Sequence, residues 1–189
     1  PSKENLRKKL DLDENLPLIF VPLSGPIKER AYFTGILRQI FKDFPENYQV
    51  VMSLGYPNTL IKPIRYGNTV IYGWVPNRFE YLKACDLMVS RAGHGTVSQA
   101  MCYGKPMVLV PTPSHTEQLN NARRVAELGV AEVVDQDMIN KAVLIKIIDK
   151  MLRDEEYMKR LDEIRKAVSG LNGLDIAVET IMKVAAESR

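Results

Sequence analysis

The sequence predicts an α/β fold: one doubly wound sheet of six parallel strands with helices on both faces. Two observations carry that expectation. Apolar runs of four to six residues alternate along the chain with longer segments of helical period. The runs are apolar at consecutive positions, not at every second one, which marks strands covered on both faces. Strand and helix in turn require crossover connections, and such crossovers are right-handed and leave the strands parallel. The 189 residues suit one domain with a sizeable core.

The elements follow in order. Residues 1–15 are polar and charged and read as a linker or short helix ahead of one domain at 16–189. “PLIFVPL” (17–23) is the first strand and “RAYFTGILRQIFKDF” (30–44) the first long helix. “YQVVMSL” (48–54) and “NTVIYGWV” (68–75) are the second and third strands, the latter ended by Pro76. “RFEYLKAC” (78–85) is a short helix and “DLMVS” (86–90) the fourth strand. Residues 95–103 read as a helix, “PMVLVP” (106–111) as the fifth strand, and “EQLNNARRVAELG” (117–129) as a helix closed by Gly129. “VAEVV” (130–134) is the sixth strand. From about Asp137 the chain is helical, with a break near “SGLNG” (169–173). The tail “LDIAVETIMKVAAE” (174–187) is amphipathic, and packs either on its own sheet or across a boundary onto a partner.

Composition narrows the function classes. Lysine and arginine number 26 against 23 acids, a net charge of +3 with no basic block, so nucleic acid is not an expected partner. Cys85 and Cys102 sit in apolar surroundings without ligand-like spacing and read as small buried hydrophobes of a reduced compartment. No run approaches the ~20 apolar residues of a membrane span, and no signal peptide is visible. A cytoplasmic protein is expected. The first residue is Pro1, which leads us to expect an excised or processed piece.

In doubly wound sheets, ligands sit outside the carboxyl ends of the strands, where the strand order switches. The loops to examine are therefore “SGPIKE”, “GWVPN”, “RAGHG” and “TPSHTE”. “RAGHGTVSQA” is not a Walker A loop, because Gly104-Lys105 is followed by Pro106 and the preceding glycine is too distant. It approaches a dinucleotide fingerprint, but Ser98 fills the last glycine position and no acid ends the next strand. A more general reading needs only a strand, a glycine turn and a helix. Gly93 and Gly95 would allow unusual backbone angles and close approach of a ligand. A helix starting near Thr96 would point free N–H groups and its positive dipole end at a diphosphate, with Arg91 and His94 as added donors. A plain strand-to-helix turn is the alternative.

Two further features face the same edge. Trp74, the only tryptophan, ends the third strand and offers a flat face to a base, with Val75 next to it to read the base edge. The alternative is a core tryptophan. Glu117 and Gln118 open a helix past the fifth strand and suit the neighbouring hydroxyls of a sugar; helix-terminal charge preference is the alternative. Base platform, phosphate cradle and hydroxyl binder on successive strands describe a nucleotide-sugar pocket.

Residues 73–134, from “GWVPNRFEYLKACDLMVSRAGHGTVSQAMCYGKP” to “TPSHTEQLNNARRVAELGVAEVV”, resemble the donor-binding, Rossmann-like C-terminal half of two-domain GT-B glycosyltransferases. The likeness extends to the UDP-glycosyltransferases and the lipid-II-forming N-acetylglucosaminyltransferases. It covers about a third of the chain with ordered motifs, and the strand–helix rhythm is compatible over nearly all of it. The resemblance implies that Trp74 stacks on uracil and that the Val75 backbone pairs with it. It assigns Gly93, His94, Gly95 and Thr96 to the diphosphate loop and Arg91 to a phosphate-binding position. Glu117 and Gln118 match the pair that holds donor-sugar hydroxyls, with His115 beside them. Ser24 and Gly25 match a turn near phosphates and acceptor. Asn77 and Gln99 stand where many relatives carry glutamine and glutamate for the ribose, which weakens a charge-assisted bond to a neutral one.

The same resemblance implies transfer of a hexosyl group from a nucleotide sugar, expected to be a UDP-sugar, to an acceptor hydroxyl. No acidic pair for a metal is evident, and no tightly bound cofactor is expected. The family's acceptor-binding N-terminal domain, which usually holds the catalytic base, has no counterpart here. The chain is therefore expected to be the C-terminal half of a longer enzyme, inactive alone, or a donor subunit working with a separate, membrane-tethered acceptor-binding partner at the cytoplasmic face. Two rivals share the pattern: a UDP-N-acetylglucosamine 2-epimerase, and a non-enzymatic nucleotide-sugar-binding subunit.

Overall fold

The computed structural model describes residues 1–57, 62–169 and 172–187. After helix α1 (Lys3–Lys9) come β1 (Leu18–Pro22), α2 (Ile27–Lys42) and β2 (Gln49–Ser53). They are followed by β3 (Ile64–Tyr66), β4 (Thr69–Tyr72), α3 (Arg78–Ala84), β5 (Leu87–Ser90) and α4 (His94–Cys102). The chain continues with β6 (Met107–Leu109), α5 (Thr116–Glu127), β7 (Ala131–Val133), α6 (Lys141–Arg153), α7 (Glu155–Ser169) and α8 (Gly173–Glu187). The strands form one sheet in the order β3-β4-β2-β1-β5-β6-β7.

Every neighbouring pair is parallel except β3–β4. Among the described residues the sheet thus has seven strands, not six. The added strand is a three-residue edge element, Ile64-Arg65-Tyr66, joined to β4 through Gly67-Asn68 with Gly67 at φ +51. It alternates apolar and polar because only one side is covered, so a search for continuous apolar runs passes over it. The Gly-Asn turn was the available signal.

Period-two alternation divides the core between the two faces of the sheet. Ile19, Val21, Leu87 and Val89 face α2 and α6, packing with Phe33, Leu37, Phe41, Leu144 and Ile148. Leu18, Phe20 and Met88 face the opposite layer, packing with Leu6, Leu82, Val97, Ala122 and Leu161. Each such side chain stabilises the fold by roughly 1.5–3 kcal/mol on burial. Cys85 is buried as expected, but Cys102 is exposed. On α4, Val97 and Ala100 face inward, and Cys102, two residues on, falls about 200° round the helix.

The opening residues are docked. Ser2 caps α1, and Leu6 and Arg7 are buried. The Arg7 guanidinium pairs with Asp86 and donates to the carbonyls of Ala84, Asp13, Glu14 and Leu16. Asp86 also takes the Lys3 ammonium and, at 2.7 Å, the Leu18 N–H. Burial alone would raise the Asp86 pKa, but these bonds together with the charges of Lys3 and Arg7 leave it below the ordinary value. At the other end of the chain, α8 has no buried residue, and Leu174, Ile176, Ile181 and Met182 all stand exposed.

β1 lies at the switch of strand order, since its crossovers lead to β2 on one side and its other neighbour is β5. The loops leaving β1 and β5 therefore diverge at the carboxyl edge and open a crevice there.

Candidate functional site

The crevice is built from four chain segments. Ser24 comes from the loop after β1, Trp74 and Val75 from the end of β4, Arg78 from the start of α3, and Thr96 from the first turn of α4. Phe20 and Ser53 form its floor. Trp74 is 45% exposed, so the indole is a surface platform and not a core side chain. Val75 is buried, and its N–H donates to Ser53 Oγ at 3.3 Å. Its carbonyl has no hydrogen-bond partner among the described residues. Gly25 adopts φ +106, and its carbonyl accepts from Arg30 Nη1 at 3.2 Å, which holds the loop after β1 in place.

The glycine turn differs from expectation in one respect. Gly93 is the N-cap of α4 with φ −64 and ψ 135, and α4 begins at His94, not near Thr96. Neither Gly93 nor Gly95 has a positive φ, so the turn does not use glycine's backbone freedom. A Cβ added at either position meets no heavy atom within 4 Å. The two glycines keep an open approach to the start of a helix.

The first-turn donors are distributed as follows. The N–H groups of Thr96 and Val97 both donate to the Gly93 carbonyl at 3.1 Å. His94 N–H donates to Glu117 Oε1 at 3.2 Å. Gly95 N–H has no partner among the described residues. A carboxylate thus occupies the position at this helix end that the dipole makes favourable for an anion.

Glu117 and Gln118 reach the site from α5. His115 caps that helix, its Nδ1 accepting from Gln118 N–H at 3.5 Å. The residue before it, Ser114, has φ +63. Gln118 Oε1 accepts from Thr112 N–H at 2.8 Å, leaving its amide NH2 available. Asn121, which sequence reasoning missed, donates to Ala92 O at 3.0 Å and to Glu117 Oε1 at 3.3 Å. It fastens α5 to the glycine turn. Its position one helical turn after Glu117 was the signal that could have found it.

Arg91 is corrected by the structure. Strand alternation continues past β5, so Arg91 follows Val89 onto the α2 face, away from Trp74 and Thr96. It is 7% exposed, with its guanidinium over the Phe33 ring at 3.9 Å. Nη1 donates to Val110 O at 3.1 Å and Nη2 to Gln136 Oε1 at 2.7 Å. Burial pushes its pKa down to about 10, against a smaller opposing effect of Glu29. These contacts anchor the chain after β6 and after β7, so the side chain braces the rim and does not line the crevice.

The two expected ribose residues are also committed. Asn77 caps α3, its Oδ1 accepting from Phe79 N–H at 3.2 Å. Gln99 Oε1 accepts from Arg78 Nη2. Arg78, likewise missed from sequence, stands in the crevice wall and crosses from α3 to α4. Among the described residues no three His, Cys, Asp or Glu side chains gather as a metal site, and no helix is long and apolar enough to cross a membrane.

Residues 28–172 match the family model described as the glycosyltransferase family 28 C-terminal domain. The chain belongs to that family. As a family 28 C-terminal domain it is 28% identical over 193 aligned positions to a Lactobacillus acidophilus protein. That relative is named UDP-N-acetylglucosamine–N-acetylmuramyl-(pentapeptide) pyrophosphoryl-undecaprenol N-acetylglucosamine transferase; 98% of this chain and 51% of the relative are covered. An uncharacterized glycosyltransferase of Methanosarcina mazei is 24% identical, with 95% and 48% covered. The chain therefore spans about half the length of the curated relatives it matches. Among solved structures, the calicheamicin glycosyltransferase CalG4 aligns with a TM-score of 0.75 at 23% identity, over 92% of this chain and 44% of that one. The glycosyltransferase VinC in complex with dTDP aligns at 0.70 and 20% identity, over 95% and 44%. The family 28 domain thus has the α/β fold of the C-terminal half of GT-B glycosyltransferases, as expected apart from the seventh strand.

Proposed function

We propose that this chain is the donor-binding half of a glycosyltransferase that moves a hexosyl group from a UDP-sugar to an acceptor hydroxyl. One observation carries the proposal: an exposed indole and the open first turn of α4 line a single crevice at the β1/β5 switch point. In this reading the base stacks on Trp74, and an N–H of its edge donates to the Val75 carbonyl. The diphosphate lies on the start of α4, against Gly95 N–H and beside His94 and Thr96. The sugar extends toward Glu117, Gln118 and His115.

The chemistry follows from the charges. As the bond from the sugar's anomeric carbon to the diphosphate breaks, its electron pair moves onto the leaving oxygen. The fixed N–H groups and dipole of α4 stabilise that charge without reorganising. The acceptor oxygen bonds to the anomeric carbon and gives its proton to a base, which we place on the acceptor-binding half. Glu117 links ligand entry to sugar binding. An arriving diphosphate displaces its carboxylate from His94 N–H, and the freed carboxylate accepts hydroxyls of the sugar.

The acceptor-binding half is the partner we propose for the apolar side of α8. The match to a C-terminal domain and the half-length coverage support that occupant. From the Lactobacillus relative's name, we infer a lipid-linked acceptor, met at the cytoplasmic face of a membrane through that half. The test is a titration with UDP, dTDP and GDP, read by tryptophan fluorescence. Saturable quenching strongest with UDP is expected. No response to any of the three would refute the reading.

A further inference from the structure

The buried Arg91 guanidinium has no counter-charge. Two of its N–H donors are used, by the Val110 carbonyl and by Gln136 Oε1, which leaves the other three without a partner among the described residues. Both acceptors are neutral, and the Phe33 ring adds only a cation–π contact. Glu29 is close enough to act on the charge but makes no ion pair with it. Buried charges are ordinarily paired, because neutral partners do not offset the loss of water.

The same guanidinium lines a groove of about 300 Å³ on the α2 face of the carboxyl edge, apart from the crevice under Trp74. Lys28, Glu29 and Tyr32 enter it from the first two turns of α2, Thr112 from the chain after β6 and Gln136 from the chain after β7. The Lys28 ammonium and the Tyr32 and Thr112 hydroxyls have no hydrogen-bond partner among the described residues. The Gln136 NH2 is unused as well, since only its oxygen meets Arg91. α2 adds the positive end of its dipole, and its N-cap, Pro26, makes no side-chain bond there. Donors from five residues thus stand against one carboxylate.

We propose that this groove is a second oxyanion site, separate from the donor crevice, and that it takes a phosphoryl group. Three phosphoryl oxygens take up more of these donors than the two of a carboxylate. The site goes beyond the donor reading and does not rest on it. Thr112 makes the groove a neighbour of the proposed sugar end, since its N–H donates to Gln118 Oε1 at 2.8 Å. A free phosphate ion and a phosphate ester share this chemistry.

The test is calorimetry on the whole chain at fixed ionic strength, with inorganic phosphate, phenyl phosphate and acetate, each with and without saturating UDP. Inorganic phosphate is expected to bind in the presence of UDP, and about threefold or more tighter than acetate. Phenyl phosphate binding as well as inorganic phosphate assigns the site to an esterified ligand; binding of inorganic phosphate alone assigns it to the free ion. Gln136→Glu fixes a carboxylate against Arg91 Nη2 with little change of shape. It should weaken phosphate about tenfold or more while circular dichroism stays native and the thermal midpoint does not fall. Lys28→Gln should weaken phosphate and Glu29→Gln tighten it, each by about threefold, the effect of a solvent-screened charge. Failure of phosphate to bind, its displacement by UDP, acetate binding as tightly, or an affinity that all three folded variants leave unchanged would overturn the proposal. Absence of UDP binding by itself would refute the functional reading and leave this site standing.

Discussion

In Gly95→Val a side chain is added where the fold has open space: a Cβ there meets no heavy atom within 4 Å, and the backbone φ is not in the left-handed region. The folded chain should tolerate it, and even gain a few tenths of a kcal/mol, since valine is the better helix former. The isopropyl group would stand in front of Gly95 N–H, the first-turn donor without a partner among the described residues. A diphosphate pushed off that donor loses one charge-assisted hydrogen bond, about 1.5–3 kcal/mol. It also loses its share of the helix-end field, about 0.3–1 kcal/mol. The sum, about 2–4 kcal/mol, is roughly a 30- to 1,000-fold weakening. Fluorescence titration with UDP measures the loss, and thermal denaturation monitors the fold. A variant that binds UDP like the native protein would refute the placement of the diphosphate. One that unfolds would refute the claim that the position is open.

Trp74→Ala removes a half-exposed side chain, so the thermal midpoint should barely move while nucleotide affinity drops at least tenfold, in line with ~1–3 kcal/mol of stacking; calorimetry checks this, and unchanged affinity would count against the platform. Glu117→Ala uncaps His94 N–H in an exposed position, at a cost of about 0.5–1 kcal/mol in urea denaturation. The same variant should bind UDP more tightly, its competing anion gone, and the UDP-sugar less tightly; weakening of both alike would show that Glu117 only supports the turn. Asp86→Asn should cost about 2 kcal/mol at pH 7, less than a fully buried pair because Arg7 keeps four backbone carbonyls as acceptors. The Asp86 pKa is lowered on folding, so its stabilisation is complete above the unfolded value of about 3.9 and disappears as pH falls through the lower folded one. The gap between native and variant should therefore narrow as the pH falls below about 4, and a gap that stays constant through the acid range would rule out the ion pair as its source.

Local pattern made most of the site legible. The strand–helix rhythm, the glycine turn, the terminal Trp74 and the helix-opening Glu117-Gln118 are all short-range features, and the structure gathers Ser24, Trp74, Val75 and Thr96 at one crevice with Glu117 bonded to the glycine turn. The misreadings have a common origin. Arg91 was read as a phosphate donor from its neighbours in sequence, but sheet alternation turns it onto the opposite face, under α2. Arg78 and Asn121 are hard to find from sequence because each fastens to a partner more than twenty residues away, Gln99 and the Ala92 carbonyl, although Asn121 also stands one turn after Glu117.

What the sequence by itself determined is which segments are the six parallel strands and the long helices, and that a glycine-opened helix N-terminus stands at the carboxyl edge of a parallel sheet; apolar periodicity and turn chemistry act over a few residues. The tertiary structure alone decided which sheet face each rim residue occupies and which polar groups are already spent. Those outcomes depend on contacts such as Arg78–Gln99, Arg91–Gln136 and Arg7–Asp86, 21 to 79 residues apart, and no local pattern encodes whether a donor at that distance finds its acceptor.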